Sequence, residues 1–364
     1  MTKETHLFII WDNARKFEKE ILEDIAKDLT ILKTIEIRWS RSKFSNNLSR
    51  FYGTKLHRWS FKDIECGHAP FLLVVVEDDS PKYEERLTSR GSKIINSKMF
   101  DKKTKYRSWL GKNNSKVHGT NSEAETRHDL MLLLGLTIEE FRKTYKKIPN
   151  TIKQNLVGCN GWDNLEQLFK VLNETIDYVV LRNYDFLPKQ YKLSEHGDID
   201  LLVDNEKELA RLLVAKKVSK KDYRVNYRCR VGEENIKFDF RHVGDRYYDT
   251  NWEKQILAKR VKNAKGIYVP EEEDYKYSLL YHALIHKKQI ASDYKDKLNH
   301  FFSNDDYIVV LKKFISEKNY KITRPKDLSV YFNEVNAGIP VDVDRKKYHK
   351  RIRRKQRIVR MIKK

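Results

Sequence analysis

The sequence predicts two domains, an α/β amino-terminal domain and an α+β domain with helical carboxy-terminal additions, on three observations. The chain has 364 residues, more than twice the roughly 150 expected per domain. Strand-like and helix-like apolar patterns alternate in its first part, whereas a few strand-like segments followed by mostly helical pattern make up the second. Between the two, Ile148-Pro149-Asn150 and the polar residues after it break the pattern. Domains are therefore expected at 1–150 and 151–340, with 341–364 as a basic tail.

The elements follow in order. Leu7–Trp11 reads as a strand, Arg15–Leu29 as a helix, and Thr34–Trp39 and Phe71–Val76 as strands. A basic stretch dotted with Ser and Gly runs from Ser80 to Lys116. Within it Ser89-Arg90-Gly91-Ser92-Lys93 reads as an exposed loop that could also hold phosphate. A helix is expected at Glu123–Leu134, where Ser122 and Glu125 have capping-box spacing, and helix continues over Thr137–Lys147. The segment Lys116-Val117-His118-Gly119-Thr120-Asn121-Ser122 loosely resembles strand-turn-helix phosphate loops such as those of the ParB and sulfiredoxin-like group. His118, Thr120 and Asn121 would be its anion contacts, and the same residues also read as an ordinary capped helix start. In the second part, helix is expected at Asp163–Thr175, strands at Tyr178–Leu181 and Ile199–Val203, and helix at Lys207–Lys217. Strands follow at Tyr223–Arg230 and Ile236–Arg241, with mostly helix beyond Glu271.

Composition narrows the function classes. Apolar residues make up 40% of the chain, with 20 Tyr and 16 Phe, enough for ordinary cores and too many for a largely disordered protein. The net charge of +22 implies an anionic partner. Residues 345–364 alone carry +12, which leaves +10 for the other 344. Cys66, Cys159 and Cys229 are far apart and form neither a disulfide framework nor a zinc spacing, so a reducing, cytoplasmic setting is expected. Neither a signal-peptide core nor a run of about 20 apolar residues is evident.

The chemistry is concentrated in Glu195-His196-Gly197-Asp198-Ile199-Asp200-Leu201-Leu202-Val203. Alternation along a strand puts Asp198 and Asp200 on one face and Ile199 on the other. Adjacent carboxylates repel unless a cation neutralises them, and an oxygen-only set suits Mg²⁺ or Mn²⁺. In Ile236-Lys237-Phe238-Asp239-Phe240-Arg241, Asp239 faces away from Phe238 and Phe240. A neighbouring position for this strand would complete a three-carboxylate site able to hold two ions over a nucleotide phosphate. The competing reading is a strand-edge turn whose aspartates are merely solvated.

This pattern resembles the nucleotidyltransferase superfamily with its DNA polymerase β-like fold, over about residues 160–245. That family carries a DxD at a strand start and a third Asp on a neighbouring strand. Where it places a Gly-Ser turn, this chain has Val180-Leu181-Arg182-Asn183-Tyr184, a departure that points toward divergent members such as the LicD and fukutin-like glycan phosphate transferases. The resemblance implies metal binding by Asp198, Asp200 and Asp239, with Asp239 also helping to deprotonate the acceptor hydroxyl. Donor phosphates would be held by Arg182, Asn183 and Gly197. It also implies a nucleotide-activated donor and a glycan or lipid-linked acceptor, as in cell-surface glycan synthesis. RNA or protein acceptors, and a non-catalytic nucleotide-binding scaffold, are the competing readings.

His282 and His286 share a helical face by their i, i+4 spacing. They read either as packed core histidines or, with Lys287, as lining of the donor cleft. Finally, Tyr348, Ile352, Val359 and Ile362 form a stripe among the cations of the tail. A helix of this kind is expected to lie on an anionic membrane surface at the cytoplasmic face, with nucleic acid as the competing partner and a solvated tail as the alternative to both.

Overall fold

The computed structural model describes residues 3–88, 91–111, 114–190, 197–221, 223–303 and 306–351, leaving aside the side chain of Asp293. Ser89, Arg90, Glu195, His196 and the tail beyond Arg351 lie outside the described residues, and so do Ile352, Val359 and Ile362 of the membrane stripe expected there. The chain is mixed α and β and divides into two compact units, 1–162 and 163–364. Among the described residues no helix is long and apolar enough to cross a membrane.

The first unit is built on β1 (Glu4–Ile10), α1 (Glu18–Ile25), β2 (Thr30–Arg38), β3 (Phe71–Asp78), α2 (Ser97–Trp109), β4 (Val117–Gly119), α3 (Glu123–Leu134) and β5 (Thr151–Lys153). The sheet order is β4-β1-β3-β2-β5, antiparallel except where β5 joins β2. Because β1 and β3 are covered on both faces, they read as continuous apolar runs rather than alternating ones. One face packs Phe8, Ile10, Val74 and Val76 against Ile21, Ile25, Met99 and Tyr106.

The unit extends past the break expected near residue 150, because the segment after it is tied back into the sheet. Glu36 N donates to Asn150 O at 2.8 Å, Val157 N donates to Leu132 O at 3.0 Å, and Leu156 and Trp162 are buried. The stretch from Ser80 to Lys116 is also more ordered than its composition implied. It holds a hairpin of Tyr83–Thr88 with Gly91–Asn96, and α2, capped by Asn96. The inner face of α2 hides in sequence because two of its buried residues are lysines, with Lys102 Nζ donating to Asp24 O at 2.8 Å and Lys103 Nζ to Gly119 O at 3.0 Å.

The second unit opens with α4 (Leu165–Thr175), whose cap Asn164 accepts from Gln167 N at 2.8 Å. There follow β6 (Tyr178–Val180), β7 (Ile199–Val203), α5 (Glu206–Leu212), β8 (Lys216–Lys217), β9 (Asn226–Val231) and β10 (Glu234–His242). The helix expected at Lys207–Lys217 stops at Leu212, and Lys216 and Lys217 pair with β9 instead. The sheet runs β8-β9-β10-β7-β6, with β7 and β10 parallel and the other pairs antiparallel.

A helical layer follows: α6 (Thr250–Ala258), α7 (Glu272–Ile285), α8 (Ser292–Phe302), α9 (Tyr307–Glu317) and the single turn α10 (Glu334–Ala337). It joins one sheet face in a single core containing Val179, Leu202, Trp252, Leu280, Leu298 and Phe314. Leu202 shares its face with Asp200 two residues earlier, so the carboxylate face of the sheet looks toward the helices.

Trp252 organises this core. It is fully buried, stacks on Tyr320 at 5.5 Å, meets Tyr281 and Phe314 edge-on or tilted, and donates Nε1–H to Asp274 Oδ1 at 2.8 Å. Trp252→Ala would leave a cavity and an orphaned carboxylate. It is expected to cost about 3–5 kcal/mol, read as a lowered urea midpoint for the second unit.

Candidate functional site

The backbone of the second unit decides where its carboxylates meet. In the parallel pair, Phe238 lies opposite Ile199 and Asp239 opposite Asp200; across the other edge of β10, Asn226 lies opposite Asp239. Asn226, Asp239 and Asp200 therefore form one row on one face. Asp198 stands just before β7, half-buried, and Asp200 and Asp239 are buried. Beyond the end of β6 the chain turns sharply at Asn183, which adopts φ +56°, a region that Asn tolerates better than most non-glycine residues. This turn sends Arg182 back across the sheet to Asp200.

These residues open into a cavity of about 730 Å³. Its lining includes every position singled out above in this unit: Asp198, Asp200 and Asp239; Arg182, Asn183 and Gly197; and His282, His286 and Lys287. The loop His118-Gly119-Thr120-Asn121 belongs to the first unit and its polar groups are engaged there. His118 Nε2 meets Asp129 Oδ2 at 2.7 Å, Thr120 Oγ1 accepts from Leu7 N at 3.1 Å, and Asn121 Oδ1 accepts from Lys103 Nζ. Ser122 Oγ caps α3 by accepting from Glu125 N, while the Glu125 carboxylate reaches back to Asn121 N rather than to Ser122.

Two buried guanidinium groups hold the carboxylates. Arg182 Nη2 donates to Asp200 Oδ1 at 2.8 Å and to Tyr247 Oη at 3.0 Å. Arg241 Nη2 donates to Asp239 Oδ2 at 3.3 Å, its Nη1 donates to Asp245 Oδ2 at 3.4 Å, and Asn226 Nδ2 donates to Asp239 Oδ1. Burial disfavours the charge on Arg182, but Asp200 and the surrounding tyrosines outweigh it and hold the group well above the usual range. For Asp239 and Asp198, burial wins. It pushes Asp239 up to about 7, reinforced by Asp200 and Asp198 against the pull of Arg241 and Asn226. Asp198 is raised by burial and then by Asp200.

A chain of hydrogen bonds continues into the helical layer. Tyr247 Oη accepts from Arg182 and shares a hydrogen bond of 2.6 Å with His282 Nδ1. Burial and then the arginines push both histidines well below their usual range, so both imidazoles are neutral. His286 lies tilted against Tyr247, with ring centroids 4.1 Å apart. It is 3% exposed, and neither of its ring nitrogens has a hydrogen-bond partner among the described residues. Arg182 Nη1 and Arg241 Nε are buried and unpartnered in the same way. Buried donors and acceptors left open at a cavity wall are completed by what enters the cavity.

The sequence reading missed Arg241, Asn226, Tyr247, Lys288, Tyr294, Tyr331 and His349, which also line the cavity. Arg241 was within reach, since it repeats the alternation of Asp239 two residues on. Asn226 is placed by strand register, and Tyr247 by the packing of a loop. No family model matches the chain, and no curated protein is similar to it. The chemistry of this cavity therefore rests on its own geometry.

Asp239 titrates near 7 in the folded chain and near 3.8 when unfolded. Between these values only the folded form holds the proton, so stability falls as pH rises through this window and the full cost is present above pH 7. Asp239→Asn is accordingly expected to stabilise the chain by about 1–3 kcal/mol at pH 8, with the gain shrinking toward pH 5, in urea titrations at the two pH values.

Proposed function

We propose that the second unit is a divergent nucleotidyltransferase that moves a phosphate-containing group from a nucleotide-activated donor to an acceptor hydroxyl. The observation that carries this reading is the in-register pair Asp200 and Asp239, joined by Asp198, facing a cavity whose walls hold unpartnered guanidinium and imidazole nitrogens. Supporting it are α4 ahead of β6, the sharp turn at Asn183 where the superfamily has its Gly-Ser turn, and the third aspartate on the strand next to the DxD strand.

The donor chemistry of the site fits a hard divalent ion in one particular way. Among the described residues no three His, Cys, Asp or Glu side chains stand as a ready-made ligand cage, and Asp239 and Asp200 already accept from arginines. Mg²⁺, however, is commonly held by one or two carboxylates together with substrate phosphates. Asp198, which accepts no side-chain hydrogen bond among the described residues, and Asp200, whose second oxygen is uncommitted, are the groups that would hold it. When bound, such an ion supplies Lewis-acid stabilisation of the phosphate oxygens.

The remaining roles fall to the chain itself. Arg182 Nη1 and Lys287 face donor phosphate oxygens and neutralise charge that develops on the leaving group. Asp239, titrating near neutrality, can accept the acceptor hydroxyl proton as the oxygen attacks phosphorus. His286 offers one donor and one acceptor to a sugar hydroxyl or base edge. The arginine–aspartate pairs favour a second reading, a metal-independent anion-binding site that performs no transfer.

Calorimetry with Mn²⁺ and a panel of nucleoside triphosphates and cytidine-diphosphate-linked donors separates the two. The transferase reading expects metal to tighten nucleotide binding at least tenfold in the native chain, and expects that gain to vanish in Asp198→Asn/Asp200→Asn. It further expects the metal affinity to rise with pH up to about 8, as Asp239 loses its proton. Nucleotide binding indifferent to metal would leave the anion-binding site.

A further inference from the structure

A second cavity, of about 800 Å³, shares Lys288, Tyr331 and His349 with the first, so the two adjoin within this unit. Its size lies within the roughly 300–1,000 Å³ of small-molecule sites. Its wall has two components. Tyr331, half-buried, and Val335, 86% exposed at the rim on α10, supply apolar surface over the buried Phe332. Lys288, Arg345, Lys346 and Lys350 supply cations against the one carboxylate of Glu334.

The cations differ in role. Arg345 is buried, its Nη1 donates to Val330 O at 2.9 Å and its Nη2 to Pro325 O, while its Nε has no partner among the described residues. Lys288, Lys346 and Lys350 are exposed and form no ion pair among the described residues. Cations without counter-ions beside exposed aliphatic and aromatic surface match a ligand that has both a negative head and an apolar body. A nucleic acid would match the charge but would leave Val335 unused, and a neutral glycan would match neither feature.

We infer that this second cavity is the acceptor site, and that the acceptor is an anionic amphiphile, a phosphate or diphosphate joined to an aliphatic chain. The inference rests on the transferase reading for the word acceptor, but the binding itself does not depend on it. The head group lies toward Lys288 and His349, which line both cavities, and the apolar body lies along Tyr331 and Val335. The reacting hydroxyl is then carried on whatever the phosphate bears, within reach of Asp239.

The test uses the full chain and dodecyl phosphate below its micelle concentration, with dodecanol, inorganic phosphate, anionic phospholipid vesicles and a short RNA duplex as comparisons. Binding is measured by intrinsic fluorescence without added metal, in the native chain, in Lys288→Glu and in Val335→Asp, both at surface positions that leave the core intact. The expected result is saturable binding of dodecyl phosphate, at least tenfold tighter than of dodecanol or phosphate and weakened at least tenfold in both variants. Binding that is absent, or unchanged in the variants, overturns the inference, as does binding confined to vesicles or to RNA. Asp198→Asn/Asp200→Asn is expected to retain dodecyl phosphate binding. Failure of the metal-dependent step and failure of the amphiphile site are thus read separately.

Discussion

The second unit is governed by the parallel pairing of β7 with β10, which sets Asp200 beside Asp239 on a buried face. Adjacent strands are about 4.8 Å apart, and two carboxylates at that separation repel by about 3 kcal/mol at an effective dielectric of about 20. The surroundings answer that repulsion in two ways. Arg182 and Arg241 are drawn in as buried partners, and Asp239 holds its proton up to about pH 7. Neither answer is complete, since Asp198 adds a third carboxylate whose charge burial and Asp200 both disfavour.

The helical layer inherits this constraint. Arg182 lies across the sheet with one nitrogen shared between Asp200 and Tyr247, and Tyr247 is in turn hydrogen-bonded to His282. Burial, and after it the two arginines, keep both histidines neutral, the state in which an imidazole can both donate and accept. Tyr247 and His282 therefore position Arg182, whereas both ring nitrogens of His286 lack a hydrogen-bond partner among the described residues. The aromatic core around Trp252 holds α6 and α7 in the places this network requires.

The first unit is organised by a different balance. Its central strands are covered on both faces, and its buried cations are tied to carbonyls and to Asp24 rather than left facing a cavity. The polar groups of the loop around His118 are likewise bonded within the unit, which makes that segment a structural joint between β4 and α3.

The sequence by itself determined the local alternations: Asp198 and Asp200 opposed to Ile199, Asp239 opposed to Phe238 and Phe240, the apolar runs of β1 and β3, and the helix begun by Ser122. These follow from backbone periods of 2 and 3.6 residues, which act over a few positions. Elements whose buried face is charged, such as α2 with Lys102 and Lys103, were hidden, because a lysine's partner cannot be read from its neighbours. Tertiary structure alone decided that Asp239 stands in register with Asp200, that the turn at Asn183 brings Arg182 onto that pair, and that residues 151–162 close the first unit. Each of these depends on hydrogen bonds and burial between segments distant in sequence, and only burial turns three ordinary carboxylates into a cluster that demands a counter-charge.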